Sequence, residues 1–443
     1  MIEKIVKRDG RVVPFNREKI TFAILQAAIA VGGRDRREAE RVTDDVVKML
    51  EARESSPGYP TVEEVQDLVE KALIERGHAK TAKAYILYRY EHALKRQGKK
   101  SLTYSSENIP YRKLWEALSW SVDRGCVTLL QLAEIIRKGK FGELVEESER
   151  FYKSEVGEAV KRIRERLGEI RIVIVAGPSS SGKTTTTIKI GEALKEDGVK
   201  FVPINVDNYF FDLDDQPMDS TGDYDYETPQ ALDLALIREH LARLIEGESV
   251  DIPYYNFKTG RREGISATIS LKAGDIILID SLHGMFPEMT EGIPEEKKFK
   301  LYIETLSQIK DKNYRFVRWA DIRMLRRMVR DMQFRNYGPE KTVAHWHLVR
   351  RSELRYIISK LRDAHVIVNS YLGYELPILK ARVGGYFPAF VEKFKSDPER
   401  QDAYERSVRV MELLNEIPEW RDESVVPKDS LLREFIGGSI YKY

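Results

Sequence analysis

The stretch Ile172-Val173-Ile174-Val175-Ala176-Gly177-Pro178-Ser179-Ser180-Ser181-Gly182-Lys183-Thr184-Thr185 constrains this chain more than any other. Its apolar run reads as a buried strand, and the glycine-bounded loop leads into a helix expected from about Lys183 to Lys195. Gly177 to Thr184 fits the spacing G-x-x-x-x-G-K-[ST], a loop that cradles phosphates. The glycines let backbone N–H groups turn inward, and the helix N-terminus adds partial positive charge. Gly177, Pro178, Ser179, Ser180, Ser181, Gly182, Lys183, Thr184 and Thr185 are therefore the expected triphosphate seat. Lys183 reaches the β- and γ-phosphates, and the Thr184 hydroxyl is a Mg²⁺ ligand. The implied ligands are a nucleoside triphosphate and Mg²⁺.

Composition narrows the setting. The chain has 443 residues, 42% hydrophobic and 33% charged, enough for two or three domains with cores of their own. Its 73 basic and 71 acidic residues give a net charge of +2, so no overall field draws it to nucleic acid or an anionic membrane. One cysteine, Cys126, excludes an intrachain disulfide and a multi-cysteine zinc site. No apolar run is long enough for a bilayer and no signal core opens the chain, so a cytoplasmic protein is expected. Abundant Lys, Arg and Glu with few Asn and Gln fit a thermophile.

Residues 1–96 read as one unit. A hairpin turns at Asp9-Gly10, and a helix follows Asn16 with Ile20, Ala23, Ile24, Ala27 and Val31 on one face. A second helix carries Ala39, Val42, Val46, Val47 and Leu50. Thr61 and Glu64 form a capping box for a third, and a fourth starts near Thr81. Residues 97–168 read as a helical connector without chemistry, from the joint Gln97–Ser101 to a charged helix over Glu155–Leu167.

Residues 169–443 hold the phosphate loop and four more strands. The second ends near Asp207, where a carboxylate faces the ligand crevice of an α/β sheet. Asp207 is either a base toward a hydroxyl acceptor or a cap. The third, Asp275–Asp280, ends in a carboxylate that either supports Mg²⁺ or caps a turn. The fourth and fifth are Phe299–Glu304 and His365–Asn369, and the extended run Asp251–Phe257 is either core or a wall for base stacking. On the helix Ala320–Asp331, Arg323, Arg327 and Arg330 share a face that either closes over phosphates or is simply solvated. His345 and His347 lack the cluster that a metal site needs.

Two resemblances follow from these motifs. Val6 to Asn16, Lys19-Ile20, Thr61 to Glu70 and Ala84 to Arg89 are similar, in order, to the ATP-cone, a nucleotide-sensing module. That resemblance implies triphosphate contacts at Lys7, Arg8 and Lys19, hence a second nucleotide per chain. A plain helical domain with solvated lysines is the other reading of the same residues.

From about Arg171 the chain resembles the uridine kinase and phosphoribulokinase family. The carrying motifs are the phosphate loop, Val206-Asp207-Asn208-Tyr209-Phe210, Asp225-Tyr226-Glu227-Thr228-Pro229-Gln230-Ala231-Leu232-Asp233, Ile252 to Phe257 and the helix Asp321 to Asp331. Trp346 to Glu353, Asn369-Ser370, Tyr374-Glu375-Leu376 and the tail Asp429 to Ser439 resemble a longer uridine-kinase-like branch. The implied fold is α/β, a kinase with a mainly parallel sheet flanked by helices, preceded by the small, mostly helical ATP-cone domain. The implied activity is ATP-dependent transfer to a nucleoside 5′-hydroxyl. By resemblance, catalysis falls to Lys183, Asp207, Arg323, Arg326 and Arg327, and substrate contacts to Asp207, Tyr209, Tyr255 and Phe257. Metal contacts fall to Thr184 and Asp280.

The expected partners are a small molecule and a second copy of the chain, with neither nucleic acid nor membrane. Two departures stand out. Asp280-Ser281 replaces the Glu-Gly common after the third strand, and the place of a base-binding histidine falls near Gly260. A sugar or sugar-phosphate acceptor, or a non-catalytic nucleotide-dependent regulator, are the competing readings.

Overall fold

The computed structural model describes residues 2–7, 12–29, 31, 33, 35–52, 59–86, 109–217, 226–335, 337–397 and 400–442. The turn at Asp9-Gly10, Arg8, the joint Gln97–Ser101 and the acidic loop before Tyr226 lie outside these residues. Chain contacts separate two units, Met1–Thr103 with Lys312–Arg315 and Tyr104–Asp311 with Phe316–Tyr443.

In the first unit β1 (Lys4–Val6) and β2 (Val12–Pro14) pair antiparallel, with Ile5 opposite Val13. Three helices follow, α1 (Arg17–Ile29), α2 (Arg36–Glu51) and α3 (Val62–Glu75), then α4 over 79–86. Side chains at helical spacing form the core: Ile20 and Ile24 from α1, Val42, Val46 and Leu50 from α2, and Val65, Val69 and Leu73 from α3. The expected capping box is present, with Thr61 N–H donating to Glu64 at 2.6 Å and Glu64 N–H donating to Thr61 Oγ1 at 3.2 Å.

The second unit is built on a five-stranded, all-parallel sheet. Its strands are β3 (Ile172–Ala176), β4 (Phe201–Ile204), β7 (Ile276–Asp280), β8 (Lys298–Glu304) and β9 (Val366–Asn369), in the order β4-β7-β3-β8-β9. Every residue of β3 is buried, as a central strand covered on both faces requires. Val173 and Val175 enter one core, while Ile172, Ile174 and Ala176 enter the other. This alternation follows from the two-residue period of a strand. An antiparallel hairpin, β5 (Val250–Asn256) and β6 (Arg261–Ile269), stands apart from the sheet. The sequence reading had the first of these strands and not the second.

The helices read as a connector belong to this second unit. They are α5 (Tyr111–Asp123), α6 (Leu129–Arg137) and α7 (Phe141–Arg164). Trp120, Leu132, Phe141, Tyr152 and Ile163 are buried in the same core as Val173 and Val175. Apolar stripes on these helices therefore cover a face of the sheet rather than span a gap.

Candidate active site

The carboxyl edge of the sheet gathers the chemistry, because strand order reverses around β3 and leaves a crevice there. The loop leaving β3 turns into α8 (Lys183–Lys195). Gly182 has φ +85°, and Gly177 lies so close to β8 that a Cβ would sit 2.2 Å from the Ile303 carbonyl oxygen. Neither position tolerates a side chain. Within the loop the Ser180 and Ser181 hydroxyls are buried and unpartnered, as donors awaiting an anion would be.

Lys183 donates to the Pro178 carbonyl at 3.2 Å. Enclosure by protein lowers its pKa, opposed by the charges of Asp280 and Glu434. The Thr184 hydroxyl donates to Asp280 Oδ2 at 3.4 Å, and Asp280 lies opposite Val175 in the β3–β7 register. Burial pushes the Asp280 carboxyl up to about 6, against the pull of Lys183. Among the described residues no cluster of three or more His, Cys, Asp or Glu could hold a metal ion by itself. Thr184 and Asp280 fit Mg²⁺ only as partial ligands, the remainder coming from phosphate oxygens and water.

Asp207 is the second residue of a single 3-10 turn, Val206–Tyr209, just past β4, with its N–H held by Asn205 Oδ1 at 3.1 Å. Water reaches its carboxylate, but protein walls the cleft. That enclosure raises its pKa, while Arg335 and Lys183 pull it down. The next residues diverge in role. Tyr209 is wholly buried, and its hydroxyl meets His240 Nδ1 at 2.9 Å. The expectation that Tyr209 borders the acceptor is therefore corrected: the tight turn sends its ring into the core and Phe210 outward.

Phe210 lines a cavity of 360 Å³ with Leu213, Tyr226, Tyr255, Phe257 and Gly260. Its ring lies 5.6 Å from Tyr255 and 6.0 Å from Phe257 in tilted and edge-on contacts. Tyr255 lies near the end of β5 and Phe257 just past it, and both line this cavity.

The arginine helix spans Trp319–Phe334. Arg323 is buried, pairs with Glu353 and Glu304, and donates to the Ser179 carbonyl at 3.0 Å. Arg326 is equally buried, with donors on the Ser180 and Ser370 carbonyls at 3.4 and 2.7 Å. Both grip the phosphate loop by its backbone, and neither guanidinium is open toward the crevice. Arg327 reaches the Ser179 hydroxyl at 3.2 Å and Glu227 at 3.3 Å. Arg330, which the sequence reading put on the same face, is held by Asp331, and burial together with Arg335 lowers its pKa.

Two further groups were given no role by the sequence reading. His283 packs behind the site with its Nε2 on the Glu227 carbonyl at 3.0 Å, and burial drives it down to about 4, so it is neutral. Glu434, from the short helix Arg433–Ile436, accepts from the Thr185 N–H at 3.0 Å and the Thr185 hydroxyl at 2.7 Å. In the first unit Lys19 is exposed and Lys7 half-buried.

Comparison with known proteins agrees with this geometry. Residues 172–373 match the model of the phosphoribulokinase / uridine kinase family. A uridine kinase of Deinococcus deserti is 30% identical over 204 residues, which span 45% of this chain and 89% of that protein. The chain belongs to the phosphoribulokinase / uridine kinase family. Residues 3–94 match the ATP cone domain.

Over 104 residues the chain is 41% identical to a vitamin B12-dependent ribonucleoside-diphosphate reductase of Thermoplasma acidophilum, covering 22% of this chain and 13% of that one. A solved D-glycerate 3-kinase from Cryptococcus neoformans is similar over 65% of this chain and 90% of its own, at a TM-score of 0.26 and 11% identity, too loose to bear on the acceptor. As a member of this kinase family the chain is a phosphotransferase with an alcohol acceptor. No helix among its described residues is long and apolar enough to cross a membrane.

Proposed function

We propose that the chain is an ATP-dependent nucleoside kinase that phosphorylates a 5′-hydroxyl and carries a second nucleotide site in its ATP cone. One observation carries the reading: a carboxylate, Asp207, feels the charge of the phosphate-loop Lys183 and lies three residues before Phe210 of the aromatic cavity. The unpartnered serine hydroxyls and the side-chain-intolerant glycines fit a polyphosphate. Bound Mg-ATP would supply the electrophilic γ-phosphorus and the charge neutralisation for transfer.

The chain's own residues do the rest. Asp207, its basicity raised by enclosure, takes the hydroxyl proton as the oxygen attacks. Lys183, Arg327 and Arg330 face the developing charge, while Arg323 and Arg326 hold the loop carbonyls so that its N–H groups point inward. Phe210, Tyr255 and Phe257 offer faces and edges for a planar base. Lys7 and Lys19 are the described candidates for the second triphosphate, Arg8 lying outside the described residues.

A sugar acceptor is the second reading, and Gly260 favours it. Its φ is +70°, and a Cβ would sit 3.0 Å from Leu213, so the histidine common in uridine kinases would be strained at this place. The deciding experiment incubates purified protein and Mg-ATP with nucleosides, sugars and sugar phosphates, following ADP release. Release with nucleosides supports the nucleoside reading. Release with sugars alone overturns it, and no acceptor-dependent release removes the kinase assignment.

A further inference from the structure

The segment after residue 373 lies outside the family match, yet part of it sits on the phosphate loop. Thr185 is in the first turn of α8, where backbone N–H groups have no intrahelical partner. In a phosphate loop these donors cradle the α- and β-phosphates, while the lysine reaches further out to the β- and γ-phosphates. Here one oxygen of Glu434 takes both the N–H and the hydroxyl of Thr185. An anion with two charge-assisted hydrogen bonds at a helix N-terminus is what a phosphate oxygen would be. At the other seats the Ser180 and Ser181 hydroxyls stay unpartnered.

The carboxylate is delivered by anchored chain. Leu431 covers the loop so closely that a Cβ on Gly182 would lie 2.4 Å from its Cδ1. Phe435 stacks under the Arg326 guanidinium at 5.3 Å, and Asp429 pairs with Lys189 of α8 at 3.0 Å. Leu431, Leu432 and Phe435 are wholly buried.

We infer that Glu434 is a built-in competitor for the α-phosphate seat and so sets how strongly a nucleotide donor binds. The inference rests on the ATP reading of the loop. Two anions cannot share the Thr185 donors, so a nucleotide must turn Glu434 out before its α-phosphate is seated. A short inorganic polyphosphate, filling only the Lys183 and serine seats, meets no such competition.

The test is calorimetry of Mg-ATP and of Mg-diphosphate on the full chain and on Glu434→Gln, which keeps size and packing but loses the charge. The variant is expected to bind Mg-ATP roughly 10- to 100-fold more tightly, the range of one charge-assisted contact. Its diphosphate affinity should stay within about threefold. Asp429→Asn, which frees the segment from Lys189 at an exposed position, is expected to tighten ATP binding in the same direction and serves if the first variant folds poorly.

Unchanged or weaker ATP binding in both variants overturns the inference while leaving the ATP reading in place. Equal tightening of ATP and diphosphate also overturns it, because the carboxylate would then act by general repulsion. Absence of ATP binding in every protein overturns the ATP reading and this inference with it.

Discussion

Arg326 and Glu375 meet in a bidentate ion pair, Nε to Oε2 at 2.5 Å and Nη2 to Oε1 at 3.0 Å, with neither side chain open to solvent. Breaking a buried pair leaves a charge without compensation, typically at a cost of roughly 3–5 kcal/mol. The same arginine holds the Ser180 and Ser370 carbonyls, so the pair also fixes the back of the phosphate loop. Glu375→Gln is expected to lower unfolding stability by that amount in urea titrations and to reduce kcat as the loop slackens. A variant of wild-type stability would show the pair to be dispensable.

Asp280 should trade stability for function. Its folded pKa of about 6 exceeds the ordinary 3.8, so the native state binds this proton more tightly than the unfolded chain. The carboxyl's contribution is therefore full below about pH 3.8 and lost as pH rises through about 6. Above that, the ionised group costs up to about 3 kcal/mol. Asp280→Asn is expected to be inactive yet more stable than the wild type near neutral pH. The gap should close as pH falls from about 6 to about 4. Denaturant melts across this range test the sign, and a gap that widens toward acid would refute it.

Asp207→Asn is expected to lower kcat by about a hundredfold or more, the range for loss of a general base, with Mg-ATP affinity preserved. Single-turnover kinetics beside calorimetry separate the two quantities. Loss of ATP affinity with an intact rate would move Asp207 into the metal shell.

The two adjacent aromatics should behave oppositely. Phe210→Ala is expected to raise the acceptor KM about tenfold, since base–aromatic stacking contributes roughly 1–3 kcal/mol. Tyr209→Phe loses only the hydrogen bond to His240 and should cost about 1 kcal/mol of stability with KM unchanged. Steady-state kinetics on both variants decide whether the tight turn sorts the rings as described.

If the ATP cone binds nucleotide, calorimetry on the full chain should find two ATP per chain, and Lys183→Ala should retain one. Coupling between the sites would show as a change of roughly 1–3 kcal/mol in the affinity of the second. A stoichiometry of one that vanishes in Lys183→Ala would leave the cone without a ligand.

Much of this architecture was readable in advance where local chemistry alone decides it. The phosphate loop, the helix Lys183–Lys195 and the capping box at Thr61 follow from residues a few positions apart. The end of β7 was legible too, because a continuous apolar run stops at Asp280, whereas β4 stops at Ile204, short of the Asp207 where the reading ended it. Roles set by distant partners were not legible. Arg323 and Arg327 share a helical face, yet Glu304 and Glu353 bury the first while the second reaches the Ser179 hydroxyl. Tyr209 and Phe210 differ only in which way one turn points them. Glu434 meets Thr185 across 249 residues of sequence, and no spacing rule announces such a contact.

The packing of α7 also decides where this protein can be cut. Glu155 accepts the backbone N–H of Asn369 in the edge strand at 2.8 Å, and the Tyr152 hydroxyl meets Thr186 of α8 at 2.7 Å. A gene fragment begun just ahead of the phosphate-loop strand would look complete by its motifs. It would nonetheless expose one face of its own sheet and strand both of those partners. Burial therefore draws the boundary of the catalytic half near Tyr111, well upstream of the first recognisable motif, and a piece begun there is expected to fold alone.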